Sequence, residues 1–170
     1  MRPVVFLDFD GVLNALRYRD DKVNWQDWQR EIVNDGLHDY RITYSPTMCK
    51  RLLELQDRAD FVWCTTWRDL ANTELAPIIG FPGDWPVVDG WHEMYDQIQW
   101  KWIGVKDFLF QYNDRPFVWV DDDECRQEFV ERWAAKLPQP HLTIAPNTTT
   151  GLTEFEVSRI ERFVDKNFAP

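Results

Sequence analysis

Two aspartates two residues apart, Asp8 and Asp10, follow directly on the apolar run Val4-Val5-Phe6-Leu7, and Gly11 comes next. Such a run is too short for a buried helix and reads as a strand over residues 3–8, covered on both faces as in a parallel sheet. Asp8 then sits at the carboxyl end of the strand, where open α/β sheets hold their ligands. Asp10 lies in the loop just beyond, and Gly11 lets the chain turn so that it faces the same point. Carboxylates held this close repel one another unless a cation or a proton lies between them. A hard divalent ion answers the repulsion and leaves one aspartate free to act as a nucleophile.

Two further segments repeat the pattern of an apolar strand ending in chemistry. Phe61-Val62-Trp63-Cys64 runs into Thr65-Thr66-Trp67, and Pro116-Phe117-Val118-Trp119-Val120 runs into Asp121-Asp122-Asp123. Each has a plainer reading, since a Thr at a strand end often caps a turn or helix and an acidic run is often a solvated turn. Between them stand two lysines, Lys101 and Lys106. Taken singly, either reads as a solvated surface charge.

In this order the segments resemble the haloacid dehalogenase (HAD) superfamily of aspartate-nucleophile phosphohydrolases. Asp8-Phe9-Asp10-Gly11-Val12-Leu13 resembles its first motif, Thr65-Thr66 its second and Asp121-Asp122 its fourth. The third motif is a lysine at or just before the helix preceding the acidic strand. Trp100-Lys101-Trp102 stands where that helix should begin, and Lys106 would fall one to two turns inside, so Lys101 is preferred. The resemblance implies that Asp8 is the nucleophile, Asp10 the general acid and base, and Thr65 and Lys101 the groups that hold the phosphoryl oxygens. It implies Mg²⁺ held by Asp8, the main-chain carbonyl of Asp10, Asp121 and Asp122, with Asp122 the more direct ligand of the last pair. Thr66, Asn14, Arg17 and Arg68, beside these motifs, are the expected substrate contacts.

The remaining elements fit a doubly wound (Rossmann-like) parallel sheet flanked by helices. Residues 14–44 read as an irregular polar stretch. Ser45-Pro46 marks the start of a helix near 46–58, with Met48, Leu52, Leu53 and Leu55 on its apolar face. A strand over 60–64 precedes a helix near 67–79 that Gly80 stops, and Pro86-Val87-Val88 reads as a short strand. Helices near 98–112 and 124–136 flank the acidic strand 116–121, and His141–Ile144 reads as the last strand. Thr153 and Glu156 form a capping box for a final helix carrying Val157, Ile160 and Val164. The whole chain, 1–170, reads as one HAD-like domain. Residues 14–44 stand where the superfamily carries a small cap or flap, here with Arg17, Tyr18, Arg19, Trp25, Trp28 and Arg41.

Composition sets outer bounds. A chain of 170 residues, 44% hydrophobic, is long enough for one buried core and too apolar for wholesale disorder. No apolar run reaches membrane-span length and the N-terminus lacks a signal-peptide pattern. Cys49, Cys64 and Cys125 are odd in number and widely spaced, which reads as a reduced, cytoplasmic protein without a zinc site. The net charge of −10 speaks against tight non-specific nucleic-acid binding, though not against attack on a single exposed phosphate. Of ten tryptophans some belong to the core; Trp25, Trp28, Trp91, Trp100 and Trp102 lie in polar surroundings and could stack on a base or ring, although packing is the preferred reading for each.

Softer similarities link the chain to a small HAD subgroup associated with RNA-repair proteins. They comprise Trp63-Cys64-Thr65-Thr66-Trp67 with Ala71-Asn72, Arg115-Pro116 leading into Trp119-Val120-Asp121-Asp122, and Thr150-Gly151-Leu152-Thr153. The expectation is a Mg²⁺-dependent phosphohydrolase working through an aspartyl-phosphate. Its substrate would be a phosphorylated small molecule, a nucleotide or a nucleic-acid end. The alternatives are a HAD-fold binding protein with little turnover and a phosphotransferase to an acceptor other than water. The intact Asp8/Asp10 pair speaks against the former.

Overall fold

The computed structural model describes residues 1–16, 24–88, 99–112 and 115–169. A buried strand, β1 (Val4–Leu7), leads into an antiparallel hairpin of β2 (Gln29–Asn34) and β3 (Asp39–Tyr44). Helix α1 (Pro46–Leu53), strand β4 (Asp60–Trp63) and the short helix α2 (Ala76–Ile79) follow. The second half holds α3 (Trp100–Gln111), β5 (Phe117–Val120), α4 (Glu128–Ala134), β6 (His141–Ile144) and α5 (Glu154–Asn167).

Four strands form a parallel sheet in the order β4-β1-β5-β6. From β1 the chain goes to a neighbour on one side, then crosses to β5 on the other. The connections part at the carboxyl end of β1, and a crevice opens there in folds of this kind. The two central strands, β1 and β5, read as unbroken apolar runs because both their faces are covered. Val5, Leu7, Phe61, Trp63, Val118 and Val120 pack in one cluster with Met48 and Leu52 of α1 and Val157, Ile160 and Val164 of α5. Val4, Phe6, Val62, Cys64, Phe117 and Trp119 pack in the other, with Val105 and Leu109 of α3 and Val130 of α4. Cys49, on α1, belongs to the first cluster, and Cys125 packs against the second. All three cysteines are free thiols.

Local signals place the helix starts. The Ser45 hydroxyl accepts from the amide of Met48 at 3.1 Å, and Pro46 follows as the first helical residue of α1. Thr153 and Glu156 cap α5 reciprocally, as the capping box predicts.

Four stretches differ from the sequence reading. The helix expected over 67–79 is broken into turns, a wide π-helical turn at Ala71–Leu75 and then α2. Pro77 has no N–H for the carbonyl of Thr73, and the ladder shifts so that the amide of Ala76 reaches back to Ala71. The helix expected over 124–136 is a single 3-10 turn, Glu124–Arg126, followed by α4. The stretch 14–44, read as irregular, contains the β2–β3 hairpin. Five of six residues of β2 and the first three of β3 are exposed, so these strands lack the apolar density of the buried strands. The signal for it was Asn34-Asp35-Gly36. The Asn34 side chain accepts from the amide of Gly36 at 2.6 Å, Asp35 accepts from the amides of Leu37 and His38, and Gly36 takes the left-handed φ of 93°. Pro86-Val87-Val88 contributes one parallel bridge, Val87 to Trp63, rather than a strand.

Candidate active site

Asp8 is the first residue past β1, and its amide donates to Val120 O at 3.0 Å, tying it to the carboxyl end of β5. Asp121 is the first residue past β5 and is wholly buried. The ammonium of Lys101 lies between them, 2.6 Å from Asp8 Oδ2 and 2.7 Å from Asp121 Oδ2. Lys101 shares with Val105 and Leu109 the buried face of α3, at its N-terminal end. Its stem packs inward and its charge emerges where the sheet ends. The other oxygens are used as well. Asp8 Oδ1 accepts from the amide of Phe9 at 2.7 Å, and Asp121 Oδ1 accepts from the amides of Asp123 and Glu124 at 3.0 and 2.8 Å.

Asp122 completes the group. Its carboxylate accepts from the hydroxyl of Thr148, which projects from the loop after β6. Gly11, at φ 71°, passes so close that a Cβ there would lie 2.2 Å from Asp122 Oδ2. Glycine is therefore required twice at this point, by backbone angle and by the neighbouring carboxylate.

Asp8, Asp121 and Asp122 each offer an oxygen within 4.8 Å of the others. With all three ionised and one ammonium among them, the group has an excess of two negative charges. Burial raises the pKa of Asp8; the Lys101 charge opposes this and the Asp121 charge adds to it. Burial also works against the Lys101 ammonium, but Asp8 and Asp121 outweigh it and keep the lysine charged. Burial lifts Asp122, against its bond from Thr148. An all-oxygen set with this charge deficit fits a hard divalent cation.

Asp10 faces a different way. Its two oxygens accept from Asn14 Nδ2 at 2.7 Å and from the indole of Trp67 at 2.9 Å. Asn14 in turn accepts from the amide of Thr43 in β3 at 2.8 Å, so the hairpin is fastened to the residue that orients Asp10. On its open side Asp10 lines a cleft of about 280 Å³ with Asp35, Tyr40, Thr66, Trp67 and Leu70.

Comparison with known families settles what this arrangement is part of. Residues 4–157 match the family described as the HAD domain in Swiss Army Knife RNA repair proteins. The chain belongs to that family. Searches of curated proteins and of solved structures gave no match.

Membership brings the HAD-type phosphohydrolases as the general class, a group that works with Mg²⁺, and the Asp8/Asp121/Asp122 group is a place where such an ion can bind. The fold brings together Asp8, Lys101, Asp121 and Asp122, whereas the Asp10 side chain, expected to face the same point, is turned by Asn14 and Trp67 toward the cleft. Lys106 is elsewhere, its ammonium 4.1 Å from the ring centre of Trp102. Thr65 is wholly buried and accepts weakly from the amide of Trp67 at 3.4 Å, a turn-capping contact. Thr66 is exposed in the cleft. Arg68 takes the left-handed φ of 50° and lays its guanidinium 5.4 Å from the ring centre of Trp100. Asn14 is 3% exposed with amide and carbonyl both engaged, which places it behind Asp10 rather than in the cleft. Arg17, Tyr18, Arg19 and Trp91 lie outside the described residues.

The tryptophans in polar surroundings that lie among the described residues are packed, the preferred reading for them. Trp25 is 3% exposed and donates to Leu152 O at 2.7 Å, Trp100 is 8% exposed, and Trp28 and Trp102 pack against the two cores. The aromatic walls of the cleft are instead Tyr40 and Trp67, with Asp35 beside them. The hairpin signal at residues 34–36 is what would have brought Asp35 and Tyr40 forward.

Proposed function

We propose that this protein is a Mg²⁺-dependent phosphohydrolase that forms an aspartyl-phosphate on Asp8, acting on phosphomonoesters such as nucleotides or phosphorylated nucleic-acid ends. The observation that carries the reading is the juxtaposition of Asp8, Lys101, Asp121 and Asp122 at the carboxyl ends of β1 and β5, with Asp10 two residues on. The RNA-repair description of the family supports the nucleic-acid end within this class. The carboxylates of Asp8, Asp121 and Asp122 and the main-chain carbonyl of Asp10 would hold the ion. Mg²⁺, when bound, neutralises the charge of a phosphate facing a carboxylate.

The chain's own residues supply the rest. A carboxylate oxygen of Asp8 attacks phosphorus in line, and the bond from phosphorus to the leaving oxygen breaks as the acyl-phosphate forms. Protonated Asp10 gives its proton to that leaving oxygen. In the second step Asp10 takes a proton from water as the water oxygen attacks phosphorus, releasing inorganic phosphate and restoring Asp8. The bonds from Asn14 and Trp67 fix the direction in which Asp10 presents its proton. Lys101 holds Asp8 in place and offers positive charge to the non-bridging oxygens, and the Thr65 hydroxyl donates a hydrogen bond to them. Thr66, Arg17 and Arg68 are the substrate contacts in this reading.

The test is phosphate release from a simple aryl phosphate. Activity should vanish with chelator, return with Mg²⁺, and be absent in Asp8→Asn, whose amide keeps the shape but cannot form the acyl-phosphate. Substantial release by a folded Asp8→Asn protein would falsify the nucleophile.

A further inference from the structure

Arg68 stands in the turn that follows β4, at a backbone angle an arginine seldom takes. Its φ of 50° is left-handed, and it is the one non-glycine residue with a positive φ among the described residues. Glycine or asparagine adopts such an angle more readily. The turn fixes the angle from both sides: the Arg68 amide donates to Thr65 O at 3.2 Å, and its carbonyl accepts from the amide of Ala71 at 2.9 Å. A strained residue of this kind, bordering a reactive centre, points to a role there.

Arg68 borders the site in two ways. Trp67, directly before it, donates to Asp10 Oδ2 at 2.9 Å. The Arg68 guanidinium lies over the ring of Trp100, 5.4 Å from its centre, and Lys101 Nζ stands 6.0 Å from that same centre. Arg68 thus links the residue that holds Asp10 to the ring beside the lysine. Stacking engages the face of a guanidinium, while its N–H donors lie in its plane and match the oxygens of a phosphate two at a time. Asp69, exposed, lines a recess with Arg68. Charges of both signs make no broad positive field here, so an anion is gripped by the shape of the fork rather than drawn by bulk charge.

In the phosphatase reading, on which this inference rests, Lys101 meets the terminal phosphate and Asp10 protonates the leaving oxygen. When the substrate is a nucleic-acid end, the leaving group carries a phosphodiester one nucleotide along the strand. We propose that Arg68 binds this neighbouring phosphodiester and so selects phosphorylated polynucleotide ends over mononucleotides. The left-handed turn presents the guanidinium, and the Trp100 ring sets its place relative to Lys101. One arginine then reads the continuation of the strand without any affinity for nucleic acid at large.

The experiment measures phosphate release, with Mg²⁺ in excess, from three substrates. They are a short oligonucleotide phosphorylated at its 5′ or 3′ end, the same oligonucleotide with an uncharged methylphosphonate at the linkage nearest that phosphate, and the matching mononucleotide. In kcat/KM the parent should favour the first over each of the others on the order of tenfold, the worth of a hydrogen bond between charged groups. Arg68→Gln should bring both ratios toward one, and Arg68→Lys, which keeps the charge without the fork, should retain part of them. A merely structural lesion lowers all three substrates together and leaves the ratios as they were. Equal use of the phosphodiester and the methylphosphonate by the parent, or unchanged ratios in Arg68→Gln, overturns this inference and leaves the phosphatase standing. The first of these outcomes needs no variant, so it decides the matter even where a substitution impairs folding. Cleavage of an aryl phosphate with release from none of the three also overturns the inference alone, and release from no substrate at all overturns both.

Discussion

Lys101 is the residue on which two buried carboxylates depend. Removing it in Lys101→Ala leaves Asp8 and Asp121 facing each other without a cation, which should cost about 3–5 kcal/mol of stability. The loss of a positive charge aimed at the phosphoryl oxygens should lower kcat/KM by roughly 10²–10³. Mg²⁺ should raise the Tm of this variant more than that of the parent, because the ion replaces the missing charge. Lys106→Ala removes only a contact with the Trp102 ring, worth about 0.5–1 kcal/mol, and should leave kcat/KM near normal. Thermal melts and kinetics on one substrate check both variants, and a severe kinetic loss in Lys106→Ala alone would transfer the role to that lysine. The choice between these lysines was open to argument from sequence, because a helix near 98–112 puts its start at Lys101. What no sequence pattern carries is the fit of Gly11 against Asp122, residues 111 positions apart that meet only once β1 and β5 lie side by side.

At the scale of elements, the buried strands and α5 were legible and the hairpin was not. A strand covered on both faces announces itself as an unbroken apolar run, whereas β2 and β3 are exposed at most positions and look polar. The helix read over 67–79 had the right apolar residues, but Pro77 lies inside it and the break follows from its missing N–H. The segment before β2 is also tied to the first helix. Asp27 accepts from the hydroxyls of Ser45 and Thr47 and from the amide of Thr47, at the N-terminus of α1. Burial raises the pKa of Asp27, but these bonds outweigh it, and the net direction is downward. A carboxyl lowered in the folded state stabilises above its unfolded value, near 3.9, and loses that contribution as pH falls through its folded value. The parent should therefore lose stability on acidification below about pH 4 with an increment that Asp27→Asn lacks. Denaturant midpoints of both proteins between pH 7 and pH 2.5 measure it, and parallel pH profiles would remove Asp27 from the account.

For the molecule as a whole, the net charge of −10 bears on how an anionic substrate arrives. Long-range repulsion of a phosphomonoester should be screened as salt rises toward physiological strength, where the Debye length is about 8 Å. With Mg²⁺ held constant and saturating, kcat/KM should rise severalfold over that range. A fall would mean that the local cationic field of Lys101 and the metal governs encounter. Among the described residues no helix is long and apolar enough to cross a membrane. The three thiols offer a different kind of measurement. Cys49 is buried on one face of the sheet, its pKa pushed up to about 12 by burial, while Cys64 and Cys125 are packed on the other and are likewise raised. A buried, protonated thiol reacts with an alkylating reagent only when its surroundings open. Each cysteine is thus a clock for one layer of the molecule. Three labelling times that coincide would mean that both helical layers come off the sheet in one event, and a faster Cys49 would show the α1–α5 layer breathing alone.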